Sequence, residues 1–141
     1  MGLSAFGQAL FLGGVHLLGS AFASANWQAL ELGIQLLALR QQLLSNNVAN
    51  ANTPGFKRSD LPFEQIMQRV LSERRAIRPE EIRTWVVQDR TTSLKADGNN
   101  VDIELEMVRL TENNLTYQAA IRQLNYQFNN LRMAISEGRK G

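Results

Sequence analysis

The residues of this chain that could do chemistry are few, and none forms a pattern that a reaction requires. Asp102, Glu104 and Glu106 lie close together, as paired catalytic carboxylates would. At the start of a helix, however, such residues are typical of solvated charges that compensate the helix dipole. His16 is the only histidine and cysteine is absent, so a thiolate or imidazole metal site is excluded. Asp97-Gly98-Asn99 begins like a calcium loop but lacks the further ligands. We therefore expect no enzyme, no cofactor and no metal.

Composition narrows the class of protein further. The chain has 141 residues, enough for one domain, with 44% hydrophobic and 20% charged residues, which is typical of a folded protein. The net charge of +2 comes without a basic patch, so nucleic-acid binding is not expected. Neither a glycine-rich phosphate loop nor a nucleophile motif is present, so we expect no small-molecule substrate.

The most informative segment is Ser45 to Lys57, SNNVANANTPGFK, where a leucine-rich helical pattern stops. Asparagine side chains compete for backbone hydrogen bonds and weaken a helix. Pro54 fits the second position of a turn, and Gly55 accepts the positive φ that a type II turn requires next. The candidate residues for a helix end and turn that serve assembly are Asn47, Asn50, Thr53, Pro54, Gly55 and Phe56.

Two amphipathic helices are predicted, one near each end of the chain. The first runs from about residue 27 to 50, with one line of apolar residues at Leu32, Leu36, Leu39 and Leu43 and a second at Leu30, Ile34, Leu37 and Leu44. The second runs from Val101 to Glu137 with a heptad seam that includes Met107, Leu110, Asn114, Tyr117, Ile121, Leu124 and Phe128. We expect the first line to pack on this seam. Asn114, a single amide in the seam, is expected to set the register.

The fold class that follows is mainly α. Long N- and C-terminal helices pack as a coiled-coil hairpin around a small irregular middle region that has room for a short β-hairpin. The predicted divisions are an apolar extension (1–26), the first helix and turn (27–56), the middle region (57–99) and the C-terminal helix (100–141). In the middle we expect a short helix from about 61 to 75, and two short strands at Thr84–Val87 and Thr91–Leu94. Asn100 is the predicted N-cap of the last helix.

Residues 1 to 26 are unusual because the first charged side chain of the chain is Glu31. Ala-x-Ala sites resemble those of a secretory signal, but the basic n-region is missing. A membrane-inserted helix fits by length and is weakened by the glycines. The remaining interpretations are an apolar extension that packs on a partner, and a start assigned too far upstream.

Two motifs resemble a known family. Residues 47–57, NVANANTPGFK, resemble the N-terminal signature of flagellar rod and hook proteins, Asn-aliphatic-Ala-Asn-x-x-Thr-x-Gly-aromatic. Residues 97–104, DGNNVDIE, followed by Glu106-Met107 and by Leu115-Thr116-Tyr117-Gln118-Ala119, are similar to the C-terminal part of the proximal-rod proteins of that family. The resemblance covers about residues 27 to 138, and the opening extension departs from it.

The resemblance implies a structural subunit of the bacterial flagellar basal-body rod, the axial drive shaft required for motility. Such a subunit is exported by the flagellar type III apparatus and lies outside the cytoplasmic membrane. Its expected partners are other rod proteins, copies of itself, and membrane-ring and export-gate components at the rod base. The alternative is a soluble coiled-coil adaptor or export chaperone, which would form a stable dimer in solution.

Overall fold

A computed structural model describes residues 25–73 and 77–138 of the chain. In chain order, its regular elements are α1 (Ala25–Ala49), β1 (Ser59–Asp60), α2 (Phe63–Glu73), α3 (Pro79–Ile82), a 3₁₀ turn (Arg83–Trp85), β2 (Val87–Gln88) and α4 (Ile103–Gly138). The predicted mainly α fold is confirmed, with two long terminal helices and a small two-stranded antiparallel sheet in the middle. Residues 1–24, the bulk of the predicted extension, lie outside the described part of the chain.

The two long helices form an antiparallel pair. Contacts join Asn47 of α1 to Glu106, Gln41 to Asn113, and Trp27 to Phe128, so residue numbers fall along α1 as they rise along α4. Trp27 and Phe128 meet edge to face, with ring centroids 4.9 Å apart. Helix α1 has 25 residues and α4 has 36, so α4 is longer by about 16 Å at 1.5 Å per residue.

A second face of α1 covers the middle region. Leu32 and Leu36 of α1 lie in one buried cluster with Leu61, with Ile66 and Val70 of α2, and with Ile82 of α3. Leu39 and Leu43 pack against the same cluster. The middle region therefore folds onto α1, and α1 lies between it and α4.

The predicted pairing of Thr84–Val87 with Thr91–Leu94 in a hairpin is wrong. Strand β2 pairs antiparallel with β1, with Ser59 opposite Gln88 and Asp60 opposite Val87. The Asp89 carboxylate is the physical reason, because it accepts hydrogen bonds from the backbone N–H groups of Thr91 at 3.1 Å and Thr92 at 3.2 Å. These bonds turn the chain after β2, so the threonine-rich segment forms a bend instead of a strand.

Within the described residues, every helix is too short or too polar to cross a lipid bilayer. The membrane-inserted interpretation concerned residues 1 to 26, most of which lie outside that part of the chain.

Candidate functional site

The helix stop after α1 folds as the turn chemistry predicts. The backbone N–H of Asn50 still reaches back to the carbonyls of Asn46 and Asn47, at 3.1 and 3.2 Å. The Phe56 N–H then donates to the Thr53 carbonyl at 3.2 Å, which closes a four-residue turn. Gly55 has φ of +71°, so the predicted positive φ at the third position of this turn is confirmed.

The four residues of this turn differ in exposure. The side chains of Thr53 and Pro54 are exposed, Gly55 is also at the surface, and Phe56 is half-buried. Asn50 stiffens the approach to the turn, because its amide nitrogen donates to the Asn46 carbonyl at 2.9 Å and its oxygen accepts from the Thr53 hydroxyl at 3.1 Å. These hydrogen bonds hold the turn in place, and Pro54 and Gly55 are exposed to solvent.

The second sequence motif docks directly on this turn. The Gly55 N–H donates to the Asp97 carbonyl at 3.0 Å. The buried Asn99 amide donates to the carbonyls of Asn50 at 3.0 Å and Thr53 at 2.8 Å. Gly98, with φ of +84°, lies so close that a Cβ there would meet the Gly55 Cα at 3.8 Å. Two motifs more than forty residues apart in sequence therefore form one structure.

Asn47 and Asn100 fix the chain that leaves the turn. The Asn47 side chain accepts from the Ser59 N–H at 3.0 Å and donates to the Ser59 carbonyl at 2.8 Å. The Asn100 oxygen accepts from the Arg58 N–H at 2.7 Å, and its nitrogen donates to the Asp89 carbonyl at 2.8 Å. Both side chains are buried, so each amide satisfies backbone groups that water does not reach.

Asn100 is not the N-cap of α4, contrary to the prediction. The Asp102 carboxylate takes that role, accepting from the backbone N–H groups of Glu104 at 3.1 Å and Leu105 at 3.2 Å. Because Asn100 is already committed to Arg58 and Asp89, the cap falls to the next polar residue along the chain.

Glu106 is buried at 1% exposure, so the expectation that it is a solvated charge is wrong. One carboxylate oxygen accepts from the Arg58 Nε at 2.8 Å and from an Arg109 nitrogen at 2.7 Å. The other accepts from the Asn47 amide at 2.7 Å. A carboxylate with three donors of this kind, two of them cationic, compensates its loss of hydration.

The ion pairs continue from Arg58 to the middle region. Arg58 donates to Asp60 at 3.1 Å, and Arg40 of α1 donates to the other oxygen of Asp60 at 3.1 Å. Burial lowers the pKa of Arg58, but Glu106 and Asp60 outweigh it and raise that pKa above its usual value. Burial raises the pKa of Asp60, but the Leu61 N–H and the two arginines outweigh it and hold that pKa below its usual value. The network links α1, β1 and α4 across the end of the hairpin.

The helix seam is rotated relative to the prediction. The α4 side chains that turn inward are Glu106, Leu110, Asn113, Tyr117, Ala120, Leu124, Gln127 and Leu131, each at least partly buried. Met107 and Phe128 are about half exposed, and Asn114 is exposed, while Ile121 is half-buried at the edge of the seam. Leu32, Leu36, Leu39 and Leu43 were expected on this seam but lie in the cluster with the middle region. The second predicted line of α1 includes Leu37 and Leu44, which are both buried. This line lies on the side of α1 toward α4, where the Leu37 carbonyl accepts a hydrogen bond from Asn113.

The asparagine in the seam is Asn113, whereas the sequence pattern predicted Asn114. It is 2% exposed, and its amide nitrogen donates to the Leu37 carbonyl at 3.0 Å and to the Gln41 oxygen at 2.8 Å. Its own oxygen is buried without a hydrogen-bond partner. A buried amide of this kind specifies one alignment of two helices at a cost in stability.

The carboxylates of this arrangement are bonded to other groups of the chain. In residues 25–73 and 77–138, acidic and histidine side chains form no group of three that could hold a metal ion. The buried carboxylate Glu106 is already bound by three donors from the chain itself. These bonds join segments of the chain that are distant in sequence.

Comparison with known proteins shows the family of the chain. A family model described as flagella basal body rod protein matches residues 29–57, which are most of α1 and the turn. The chain is 29% identical over 125 residues to the flagellar basal body rod protein FlgB of Bacillus subtilis (strain 168), covering 82% of this chain and 97% of that protein. It is 31% identical over 120 residues to FlgB of Borrelia hermsii, covering 72% and 89%. It belongs to the FlgB family of flagellar basal body rod proteins.

Membership of the FlgB family places the chain among structural proteins of the flagellar basal body, and its relatives are named as rod proteins rather than as enzymes. The match over residues 29–57 ends with the turn, and the same turn is where the second motif docks.

The sequence pattern did not identify three buried residues of this FlgB-family chain that connect distant segments. They are Asn99, Glu106 and Asn113. Their burial depends on partners that are distant in sequence, 46 to 76 residues away. A usable signal was the unusual number of asparagines at the ends of the two helical patterns.

Proposed function

We propose that this chain is a structural subunit of the proximal flagellar rod that assembles through its two terminal helices with copies of itself and with other rod proteins. On this proposal it leaves the cell through the flagellar type III apparatus and functions in the basal body, outside the cytoplasmic membrane. It performs no catalysis. The family supports the rod setting, and the surface of α4 supports the mode of assembly.

The observation that carries the proposal is apolar surface on the side of α4 away from α1. We define the outer stripe as Leu105, Val108, Leu115, Ala119, Tyr126 and Met133, which follow heptad spacing with Glu112, Arg122 and Asn129 in the intervening positions. Its large members are 45% to 62% exposed. The stripe is about 42 Å long, since residues 105 to 133 rise 1.5 Å each.

A helix with apolar residues on more than one face is suited to burial on more than one side. Helix α4 buries only its inner seam against α1, and large exposed apolar patches mark interaction surfaces. The outer stripe fits the apolar face of a helix from a neighbouring subunit, as a second coiled-coil seam.

We infer that the turn at residues 53–56 is a second surface for assembly. Its exposed Pro54 and Gly55 stand at the end of the hairpin, held by the second motif and by the ion-pair network. We infer that the turn presents a fixed shape to the next subunit. The hydrogen bond from the Thr53 hydroxyl to the Asn50 side chain holds that shape.

The test replaces two residues of the outer stripe, Val108→Lys and Leu115→Lys, in a flagellated cell that lacks its own copy of the protein. The matched control is Gln68→Lys on α2, an exposed polar position. We expect the double variant to be exported normally but to be missing from purified basal bodies, with loss of swimming. The control should swim like the parent.

Two outcomes contradict the proposal. Normal swimming of the double variant would remove the outer stripe from assembly. A stable, fully helical dimer of the purified parent chain, seen by sedimentation and circular dichroism, would instead support the adaptor or chaperone alternative.

A further inference from the structure

A row of partly exposed residues lies along one side of α4, next to its inner seam. The members repeat every seven residues and are Met107, Asn114, Ile121 and Phe128. Met107 and Phe128 are 48% and 46% exposed, Asn114 is exposed, and Ile121 is half-buried. At about 3.6 residues per turn, the row lies about 80° around the helix from the centre of the inner seam and about 120° from the outer stripe. It is therefore a third face of α4.

Helix α1 carries a matching row. Trp27, Ile34, Gln41 and Val48 also repeat every seven residues, and each is partly exposed. Trp27 contacts Phe128 edge to face, with ring centroids 4.9 Å apart, so the two rows lie beside each other along one side of the hairpin. We define the side groove as the surface that these two rows form.

The two rows come level at four points along the hairpin. Because α1 and α4 run antiparallel, a step of seven residues along each helix from the Trp27–Phe128 contact reaches the next level. The levels that follow are Ile34–Ile121, Gln41–Asn114 and Val48–Met107. The side groove is therefore apolar at three levels and carries two amides at the remaining one.

The outer stripe repeats the same order of apolar and polar residues along α4. Leu105, Ala119 and Tyr126 each lie two residues, or about 3 Å, before an apolar level of the side groove. Glu112, in an intervening position of the stripe, lies two residues before the amide level, and amide nitrogens donate to carboxylates. A neighbouring α4 laid parallel with this small shift therefore matches apolar with apolar and polar with polar.

Other alignments lose this match. A shift of one heptad in either direction moves Glu112 onto an apolar level of the side groove. An antiparallel neighbour that keeps Glu112 at the amide level places its Tyr126 level with residue 100, before α4 begins at Ile103. The sequence pattern of the two surfaces therefore favours the parallel alignment.

Charge complementarity supports the same alignment. With the shift of two residues, Arg122 of the neighbour comes level with residue 124 of α4, and Glu31 of α1 lies at this level, four residues after Trp27. Glu31 is exposed on the solvent side of the side groove. Arg122 of the same chain lies among the outer stripe, on the side of α4 away from α1. The two charges therefore meet only between two chains.

We propose that the outer stripe of one copy of the chain docks, parallel, in the side groove of a second copy. The inference rests on the proposed function and names the surface that receives the stripe. Because the two surfaces differ, the contact is heterologous: it passes from copy to copy in an open assembly and does not close as a two-fold dimer.

The absence of cysteine from the chain allows a direct test by disulfide formation. Two tagged copies, Ala119→Cys and Ile121→Cys, are expressed together in a flagellated cell that lacks its own protein, and purified basal bodies are oxidised mildly. The control pair is Ala119→Cys with Asn114→Cys, seven residues or about 10 Å along the side groove. A disulfide needs Cα atoms within about 7 Å. We expect a mixed disulfide in the test pair, at least five times the yield of the control pair.

Three results would overturn the proposal. Equal yields in the two pairs would remove the alignment, and a disulfide between two Ala119→Cys chains would show that stripe meets stripe. Basal bodies that contain both tagged copies but give no disulfide would show that the stripe docks elsewhere, and this result would leave the proposed rod function standing.

A charge exchange gives a second measurement without cysteine. Glu31→Arg and Arg122→Glu, each alone, place like charges together, so each should reduce the protein in basal bodies at least threefold. Both changes in one chain should restore it, because every neighbour is then complementary again. The matched control is Glu31→Arg with Arg132→Glu, which has the same net charge with the acid about 15 Å farther along α4, and it should not restore assembly.

Normal assembly of both single variants, or failure of the exchange to restore it, would contradict docking in the side groove. The variant Val108→Lys with Leu115→Lys separates this failure from failure of the proposed function. If that variant is missing from basal bodies while both single reversals assemble normally, the outer stripe serves assembly but meets a different surface.

Discussion

Buried side-chain amides join segments of this chain that regular secondary structure does not join. Three such residues are at most 1% exposed, namely Asn47, Asn99 and Asn100. Each makes at least two hydrogen bonds to backbone groups. An amide suits this task because it both donates and accepts without carrying a charge. Glu106 is the charged exception, and it is buried only because Arg58 and Arg109 accompany it.

Replacement of Glu106 by glutamine should show how far the hairpin end depends on this charge. Glu106→Gln keeps the shape but leaves Arg58, whose side chain is 18% exposed, without its buried counter-charge. We expect the free energy of unfolding to fall by about 2 kcal/mol, because both arginines lose the carboxylate they share and Arg58 keeps only Asp60 as a partner. Urea unfolding measures this. Glu104→Gln, close in sequence but exposed, should change the free energy by less than about 0.5 kcal/mol.

The turn at Gly55 allows backbone strain to be separated from crowding. A Cβ at Gly55 would meet no atom within 4 Å, so a substitution there is opposed by the positive φ alone. Gly55→Val should lower the free energy of unfolding by about 1–2 kcal/mol and impair swimming while leaving export intact. Gly55→Asn should have a smaller effect, since asparagine tolerates this φ. Equal losses in the two variants, or normal swimming of Gly55→Val, would contradict the proposed role of the turn.

At the scale of the elements, apolar periodicity located both long helices to within two residues but misplaced the inner face of α4. The sequence pattern counts apolar residues, and the inner face of α4 includes Glu106, Asn113 and Gln127. The apolar line through Met107 and Phe128 was therefore assigned to the seam, although both are about half exposed. Sequence could not reveal this rotation, because the burial of Glu106 and Asn113 depends on Arg58 and on the Leu37 carbonyl.

The candidate site was predictable only in its local part. Pro54 and Gly55 determine a turn by their own backbone preferences, and the structure has that turn. The docking of Asn99 on the Asn50 and Thr53 carbonyls joins residues 46 to 49 apart in sequence, so local preferences do not determine it. The same holds for β1, whose pairing with β2 depends on the long-range bonds of Asn47 and Asn100.

The alignment of α1 and α4 should depend on Asn113. Asn113→Leu removes a buried oxygen that lacks a partner, so we expect stability to be unchanged or higher by about 1 kcal/mol, with loss of a single alignment. Doubled amide resonances of Leu37 and Gln41 in NMR spectra would report the second alignment. Asn114→Leu makes the same change at an exposed neighbour and should leave one set of resonances. A single set in both variants would show that Asn113 does not specify the alignment.

The whole molecule has two parts that are held by different forces. The helical hairpin relies on its seam and, at one end, on Glu106, whereas the middle region is attached to it by Asp60 as well as by its apolar cluster. Asp60 joins β1 to Arg40 and Arg58, and Asp89 turns the chain after β2. A change that neutralises Asp60 and Asp89 should therefore loosen the middle region, while the hairpin keeps the apolar residues of its seam.

Lowering the pH is such a change, and the direction of its effect on stability follows from the pKa shifts of Asp60 and Asp89. The hydrogen bond from the Thr92 hydroxyl, followed by the Thr91 and Thr92 N–H groups, lowers the pKa of Asp89 to about 2, and the pKa of Asp60 is also lowered. The native state therefore binds fewer protons than the unfolded state. The stabilisation is fully present above the unfolded pKa of about 4 and is lost as pH falls toward the folded values.

The two tryptophans allow the two parts to be followed separately, since Trp85 lies in the middle region and Trp27 at the start of α1. In Trp27→Phe, Trp85 fluorescence should change between about pH 4 and 2, at a higher pH than the loss of helical circular dichroism. Adding Asp60→Asn and Asp89→Asn should lower stability at pH 7 and reduce this dependence on pH, because the groups that titrate are gone. If fluorescence and circular dichroism change together at every pH, the middle region and the hairpin unfold as one unit and the carboxylates do not act locally.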